Sequence, residues 1–349
     1  MSALARFVLE GLADRERDVL ERRYGLLGDG TMYTLAAIGD RYHITRERVR
    51  QIETLALSLA DKHKGHQAIA AFVDRAVRLL RERGNIERED TFFAALAAAS
   101  GEGEKNNNIE PRLRNAMAFL LELSGKLASH REDDRFHTFW YLQPSHRADL
   151  AQFVKKLAAL VGPARNEIFS ESARFATFAV QIGKHYRLDA GAAMRWVGAS
   201  KQFGVNEYGM YGLFAWSEIS PRTARDWAYL VLKKEQKPLH FVELSERIRA
   251  FRKGKQTNIQ TVHNELIKDE RFMLVGRGTY GLSEFGIVPG TAREVLAHFL
   301  KRHGPLTFRE LTRTVLNERI FKESTLLINL QNKDYFKKLA DGRYALKEA

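Results

Sequence analysis

Arg46, Glu47, Arg50 and Gln51 stand within six positions of one another and are the residues of this chain best suited to recognition chemistry. An arginine fork grips guanine at two points, glutamine pairs with adenine in the same way, and glutamate accepts a hydrogen bond from cytosine. Such residues read base pairs only if they project together from the first two turns of an element narrow enough for the major groove, which a helix is.

The stretch from Tyr33 to Ala60 supplies that element. Thr34 is placed to cap a first helix whose apolar positions Leu35, Ile38 and Tyr42 fall at three-to-four spacing. Thr45 is placed to cap a second, with Val49, Ile52, Leu55 and Leu59 inward and the four polar readers outward. Two short helices joined by a tight turn make a helix-turn-helix.

The runs Asp14-Arg-Glu-Arg-Asp-Val-Leu-Glu-Arg-Arg-Tyr-Gly-Leu-Leu27, Tyr33-Thr-Leu-Ala-Ala-Ile-Gly39 and Thr45-Arg-Glu-Arg-Val-Arg-Gln-Ile-Glu53 resemble region four of the housekeeping bacterial sigma factors. That family reads an upstream promoter element and docks on the flap of the RNA polymerase beta subunit. The resemblance implies base contacts for Arg46, Glu47, Arg50 and Gln51, and contacts to the phosphate backbone for Thr34, Arg41, Thr45 and Arg48. Two departures stand out. His43 occupies the turn position where the family carries glycine, and a non-glycine residue with positive φ costs about 1 kcal/mol. The helix continues as Thr54-Leu-Ala-Leu-Ser-Leu-Ala60, without the basic residues of its relatives.

The charge fits a nucleic-acid partner. Of the net +13, residues 1–65 hold 11 Lys/Arg against 10 Asp/Glu, residues 66–221 hold 20 against 18, and residues 222–349 hold 25 against 15. The last third, at +10, attracts phosphate by counterion release and would equally attract an acidic protein. With no cysteine there is neither a disulfide framework nor a thiolate metal site. Charge interrupts the first ten residues too early for a secretory segment, and no run of about 20 apolar residues is present. A bacterial cytoplasm is the expected compartment.

An internal repeat occupies the C-terminal third. Helix 226–234, Lys237-Pro-Leu-His-Phe-Val-Glu-Leu244, helix 257–269 and Arg271-Phe-Met-Leu-Val-Gly-Arg-Gly-Thr-Tyr-Gly-Leu282 are matched by helix 292–302, Gly304-Pro-Leu-Thr-Phe-Arg-Glu-Leu311, helix 324–333 and Tyr335-Phe-Lys-Lys-Leu-Ala-Asp-Gly-Arg-Tyr-Ala-Leu346. Pro238 pairs with Pro305, Phe241 with Phe308, Leu266 with Leu330, Phe272 with Phe336, Gly278 with Gly342 and Tyr280 with Tyr344. Each copy reads as three helices closed by a hairpin with a turn glycine, a winged helix. The first copy looks like the HARE-HTH domain, the winged helix also found in the RNA polymerase delta subunit of Gram-positive bacteria; the second is divergent. Arg277 and Arg343 fall at the hairpin tips, where a winged helix touches a minor groove or phosphate.

The middle repeats the order more faintly. Helices are expected at 66–83, 89–100 and 109–124, strands within 126–142, and a polar loop at 101–108. Helices near 146–161, 170–184 and 189–199 then lead to a hairpin at 203–216. His63 and His66 have helical spacing but no accompanying carboxylate or cysteine set, so a solvated pair outweighs a metal site. Asp133 and Asp134 read as a solvated turn. Trp140, Trp196, Trp216 and Trp227 read as core. No phosphate-cradling glycine loop with its lysine is present.

The expected fold is mainly α: a helix-turn-helix module over 1–65 followed by winged-helix units at 66–145, 146–221, 222–288 and 289–349. The expected function is that of a non-enzymatic DNA-binding transcription factor or accessory factor of bacterial RNA polymerase, without cofactor or metal. Double-stranded DNA is the expected partner and the polymerase core, through its beta flap, a candidate second one, with no membrane association expected. Region two of the sigma factors is missing, so promoter opening is not expected of this chain alone. Two alternatives stay open: a polymerase-binding modulator without sequence-specific DNA binding, and the targeting part of a DNA-modification or restriction system.

Overall fold

The computed structural model describes residues 2–63, 65–99, 109–171, 173–252, 258–286, 288, 290–319 and 321–347. The chain forms two compact units, Met1–Ala215 and Trp216–Ala349, and its secondary structure is mainly helical with small antiparallel sheets. Among the described residues no helix is long and apolar enough to cross a membrane.

The first unit opens with α1 (Ser2–Leu9), α2 (Asp14–Arg23), α3 (Leu35–Tyr42) and α4 (Arg46–Ala60). Thr34 Oγ1 accepts from the Ala37 N–H at 3.1 Å and Thr45 Oγ1 from the Arg48 N–H at 3.2 Å, so both helices start where the hydroxyls satisfy otherwise orphaned donors. Between them His43 takes the left-handed conformation, with φ 53°, as the departure from glycine demanded. Gly39 lets the two helices close up: a Cβ there would lie 2.6 Å from the Ile44 carbonyl oxygen. Val19, Ile38 and Val49 form a small core with Leu35, Tyr42, Ile44 and Ile52 around it. Asp18 fastens α2 to α3, accepting from Arg22 Nε at 2.6 Å and Tyr42 Oη at 2.5 Å.

One inward position needs correcting. Leu55 is 54% exposed, whereas Ala56 and Ala60 are fully buried. Positions 49, 52, 56 and 60 make one stripe along a helix of 3.6 residues per turn and 55 falls off it; the later half of α4 turns this stripe to a second core.

That second core is shared with α5 (Gln67–Glu82), α6 (Glu89–Ala99), α7 (Pro111–Ser124) and β3 (Phe139–Tyr141), and β1 (Ile86–Arg88) and β2 (Ala128–His130) flank β3. Val8 and Leu9 of α1, Leu20, Ala56 and Ala60 lie in one cluster with Phe72, Phe93, Leu120 and Trp140. The Asn115 amide on α7 donates to the carbonyls of Gly25 at 3.1 Å and Gly30 at 2.8 Å, fixing the loop between α2 and α3. The strands pair antiparallel in the order β1-β3-β2. Helix α7 begins at Pro111 rather than at residue 109, because proline suits the first helical position. The polar loop expected at 101–108 lies outside the described residues.

Next come α8 (Pro144–Val161), α9 (Arg165–Ser170), α10 (Arg174–Gly183), α11 (Ala190–Ala199), β4 (Phe203–Val205) and β5 (Tyr211–Leu213). The helix expected at 170–184 is α10, which starts at Arg174, and the short α9 before it was not expected. Helix α11 is tied to the preceding sheet unit. Arg195 Nε donates to the Arg83 carbonyl at 3.0 Å and Trp196 Nε1 to the Gly84 carbonyl at 2.9 Å, while Ser200 bridges to Phe136.

The second unit contains α12 (Ala224–Glu235), β6 (Leu239–His240), α13 (Phe241–Phe251), α14 (Ile259–Lys268), β7 (Phe272–Gly276) and β8 (Thr279–Leu282), in a sheet of order β6-β8-β7. It continues with α15 (Ala292–His303), α16 (Phe308–Glu318), α17 (Glu323–Leu330), β9 (Phe336–Lys338) and β10 (Tyr344–Leu346). Residue pairs aligned from the sequence recur as strand partners. Phe272 faces Leu282 as Phe336 faces Leu346, and the pairing of Leu239 with Tyr280 returns as a bridge between Leu306 and Tyr344. Thr257, the expected start of one helix, is outside the described residues; α14 is capped by Asn258. Helix α17 ends at Leu330, three residues short of expectation. Arg319 is 4% exposed and knits the two copies, donating to the carbonyls of Val288 and Gly290 and, at 3.4 Å, to that of Leu274.

Candidate nucleic-acid interface

Helix α4 carries Arg46, Glu47, Arg50 and Gln51 on its first two turns, and all four are exposed. Arg50 donates to Glu47 twice, Nε to Oε2 at 2.9 Å and Nη2 to Oε1 at 2.6 Å, and Arg48 Nη1 donates to Gln51 Oε1 at 3.0 Å. The Arg50 hydrogen bonds hold the Glu47 carboxyl below the usual carboxylate range. These pairs lie along the helix in solvent, where breaking them costs little, so the side chains can be re-aimed at a base edge. Leu55 sits one turn beyond Gln51 and prolongs the exposed surface with an apolar group. Helical drift between two cores was the signal that could have placed it there.

The residues assigned to phosphate surround this surface. Thr34 and Thr45 are exposed caps, each hydroxyl accepting from its own helix and retaining its proton to donate. Arg41 stands exposed in the last turn of α3 and Arg48 in the first turn of α4. Behind them the scaffold is held by charge: burial opposes ionisation of Asp18, but the hydrogen bonds from Arg22 and Tyr42 outweigh it and keep the carboxyl below its ordinary range.

Beside Thr34 opens a cleft of about 530 Å³ in which the α2–α3 loop, α7 and the β2–β3 sheet meet, lined by Arg23, Tyr33, Arg114 and Arg131 and by Glu53, Glu89 and Glu122. Opposite charges are matched across it, Arg23 to Glu53 at 3.2 Å and Arg114 to Glu89 at 2.5 Å. Burial raises the carboxyl of Glu122, to which Ser129 donates at 3.3 Å, and pushes the Tyr24 phenol up to about 12. Sequence reasoning missed this cleft, since its walls, from Arg23 to Thr138, come from positions far apart in the chain.

Arg277 is exposed on the turn between β7 and β8, where Gly278 has φ 65°. Arg343 is exposed on the corresponding β9–β10 turn but is paired with Asp341, Nη2 to Oδ2 at 2.6 Å. Both belong to the second unit. The other singled-out residues have local structural tasks. His66 Nδ1 accepts from the Ala68 N–H at the start of α5, and Phe7 packs its ring 4.4 Å from His66 and 5.4 Å from His63. Asp133 accepts from the N–H groups of Arg135 and Phe136 in a tight turn. Trp140, Trp196, Trp216 and Trp227 are all buried. Among the described residues no group of three or more His, Cys, Asp or Glu could hold a metal ion.

This geometry agrees with the comparison to known proteins. Residues 8–58 match the family model of Sigma-70, region 4. Residues 8–58 of the first unit are thus similar to sigma factor region 4. The RNA polymerase sigma factor SigA of Nostoc sp. is 60% identical over 50 residues, which are 14% of this chain and 13% of that protein. SigA of Lactococcus lactis subsp. cremoris is 50% identical over 50 residues, 14% of each chain. The RNA polymerase sigma-C factor of Nostoc sp. is 43% identical over 67 residues, 19% of this chain and 16% of that one. The chain thus spans a small part of the length of the relatives it matches, and the family match runs from the end of α1 into α4.

Proposed function

We propose that this protein is a non-enzymatic, DNA-binding factor that works with bacterial RNA polymerase, reading a promoter element through α4. The observation that carries the reading is the placement of Arg46, Glu47, Arg50 and Gln51 together on the exposed first turns of a Thr45-capped helix, within the segment 8–58 that matches Sigma-70, region 4. Arg46, Glu47, Arg50 and Gln51 contact base edges; Thr34, Arg41, Thr45 and Arg48 contact phosphates on either side. The recurring order helix, strand, helix, helix, strand, strand at 67–141, 224–282 and, with a bridge in place of the first strand, 292–346 supports a series of winged-helix units, the fourth at 146–221 reduced to helices and a hairpin. The units at 222–288 and 289–349 are read as HARE-HTH-like, with Arg277 and Arg343 adding phosphate contacts. Polymerase core, through its beta flap, is the protein partner this reading assigns.

The test is selection of bound duplexes from a random library with the full-length chain. One enriched motif is expected, and Arg50→Ala and Gln51→Ala each should weaken binding to it by about ten- to a hundredfold while scrambled duplex is held as before. Equal losses on both DNAs, or no enrichment, overturns the assignment of α4 as reader.

A further inference from the structure

The second C-terminal repeat carries a groove apart from its hairpin tip at Arg343. An open groove of about 690 Å³ lies between the end of α17 and the β9–β10 hairpin, floored by Leu330, Phe336 and Tyr344. Lys333, Lys337, Lys338 and Lys347 stand exposed around it, and among the described residues no acidic one lines it. On the adjoining surface of α17, Ile328 is 67% exposed and Leu327 37%, and Tyr335 beyond its end is 46% exposed. The helix sequence Glu-Ser-Thr-Leu-Leu-Ile-Asn-Leu contains no cation.

Two classes of partner suit a ring of lysines, and the apolar groups decide between them. A phosphodiester backbone presents charge but nothing that gains by covering leucine, isoleucine and tyrosine, and α17, although Ser324 and Thr325 are exposed on it, has no cation of its own to match a phosphate. An acidic polypeptide segment with large apolar side chains satisfies both, its carboxylates meeting the lysines while its apolar groups cover the exposed patch. The edge strand provides a third handle. Strand β9 pairs only with β10 in its sheet, and the bonds Leu339 N–H to Arg343 O and Lys347 N–H to Tyr335 O set the alternation so that the peptide groups of Lys338 point away from β10. An extended segment can add there as a further strand.

We propose that the groove between α17 and β9, with the exposed face of α17, docks an acidic, apolar-containing polypeptide segment of a partner protein. This does not rest on the reading of α4, which lies in the other unit.

Full-length protein is titrated with three fluorescent probes: a twelve-residue peptide alternating glutamate with leucine or phenylalanine, polyglutamate of equal length, and a random duplex. The alternating peptide should bind saturably and at least about fivefold more tightly than polyglutamate. Ile328→Ser should weaken the alternating peptide by about fivefold with little change for the duplex, and Lys337→Glu with Lys338→Glu should weaken it by about tenfold or more. These three side chains are exposed, so folding should survive, which a thermal melt checks. Hydrogen exchange of the unmutated protein should show the peptide protecting residues 326–338. Peptide binding indifferent to Ile328, or absent protection of that segment, overturns the proposal. Loss of duplex binding alone on charge reversal would reassign the lysines to a nucleic-acid backbone.

Discussion

Glu47 and Arg50 face solvent together and occupy each other's hydrogen-bonding groups. On the proposed reading of α4, the Glu47 carboxylate repels phosphate wherever it finds no cytosine to accept from. Glu47→Ala should therefore raise affinity for random duplex by about two- to fivefold and narrow the gap between specific and random DNA, as read by anisotropy; an unchanged gap would show that Glu47 discriminates nothing. Glu122 gives a pH-dependent counterpart. Burial raises its carboxyl above the unfolded value, so folding favours its protonated form, and stability from this group is present at low pH and lost as pH rises through the folded pKa. Glu122→Gln, which keeps an oxygen for Ser129, should stabilise the protein at pH 7, and the difference in melting temperature should close as pH falls to about 4. The exposed row on α4 and the threonine caps of α3 and α4 were legible in the sequence because they depend on local helix geometry. Glu122 was not, because its burial depends on chain folded over it from elsewhere.

At the scale of elements, the turn between α3 and α4 makes opposite predictions for neighbouring substitutions. His43 bears the cost of a left-handed backbone, so His43→Gly should stabilise the protein by about 0.5–1 kcal/mol. Gly39→Ala, whose Cβ would meet the Ile44 carbonyl, should destabilise it by about 1–3 kcal/mol. Urea denaturation of the two variants against the parent separates them, and equal midpoints would mean the turn relaxes freely. Apolar periodicity located most helices to within a few residues, since caps and prolines mark their ends. It failed at Leu55, where a helix changes partner midway, and at α9, whose six residues are too few to show a helical period. The C-terminal repeat was legible down to strand partners, because Phe, Tyr and turn Gly recur at fixed offsets and hairpin register is set by them.

For the whole molecule, the distribution of charge makes the prediction. Residues 222–349 hold nearly all the positive excess, so the full chain should show a steeper fall of log affinity with log salt than a chain ending at residue 215, by about 0.9 for each phosphate the second unit neutralises. Identical slopes would assign that charge to an acidic protein partner instead. The sharing of one core between α1, α4 and α5–α7 was beyond sequence reading. Val8, Leu20 and Ala60 are unremarkable apolar residues, and only tertiary packing shows that they meet Phe72 and Trp140.

Helix α4 is gripped at both ends of its length, by Val19 and Ile38 near its start and by the large core at Ala56 and Ala60. A rod so clamped cannot swivel to suit a duplex, and accommodation passes to the DNA. Stiffness of the double helix then becomes part of what is read: pyrimidine–purine steps, which kink cheaply, should be favoured at positions beside the contacted bases that no side chain reaches. Permuting those untouched steps while keeping the contacted bases should shift affinity, and the shift should shrink when a nick in one strand makes the duplex pliable.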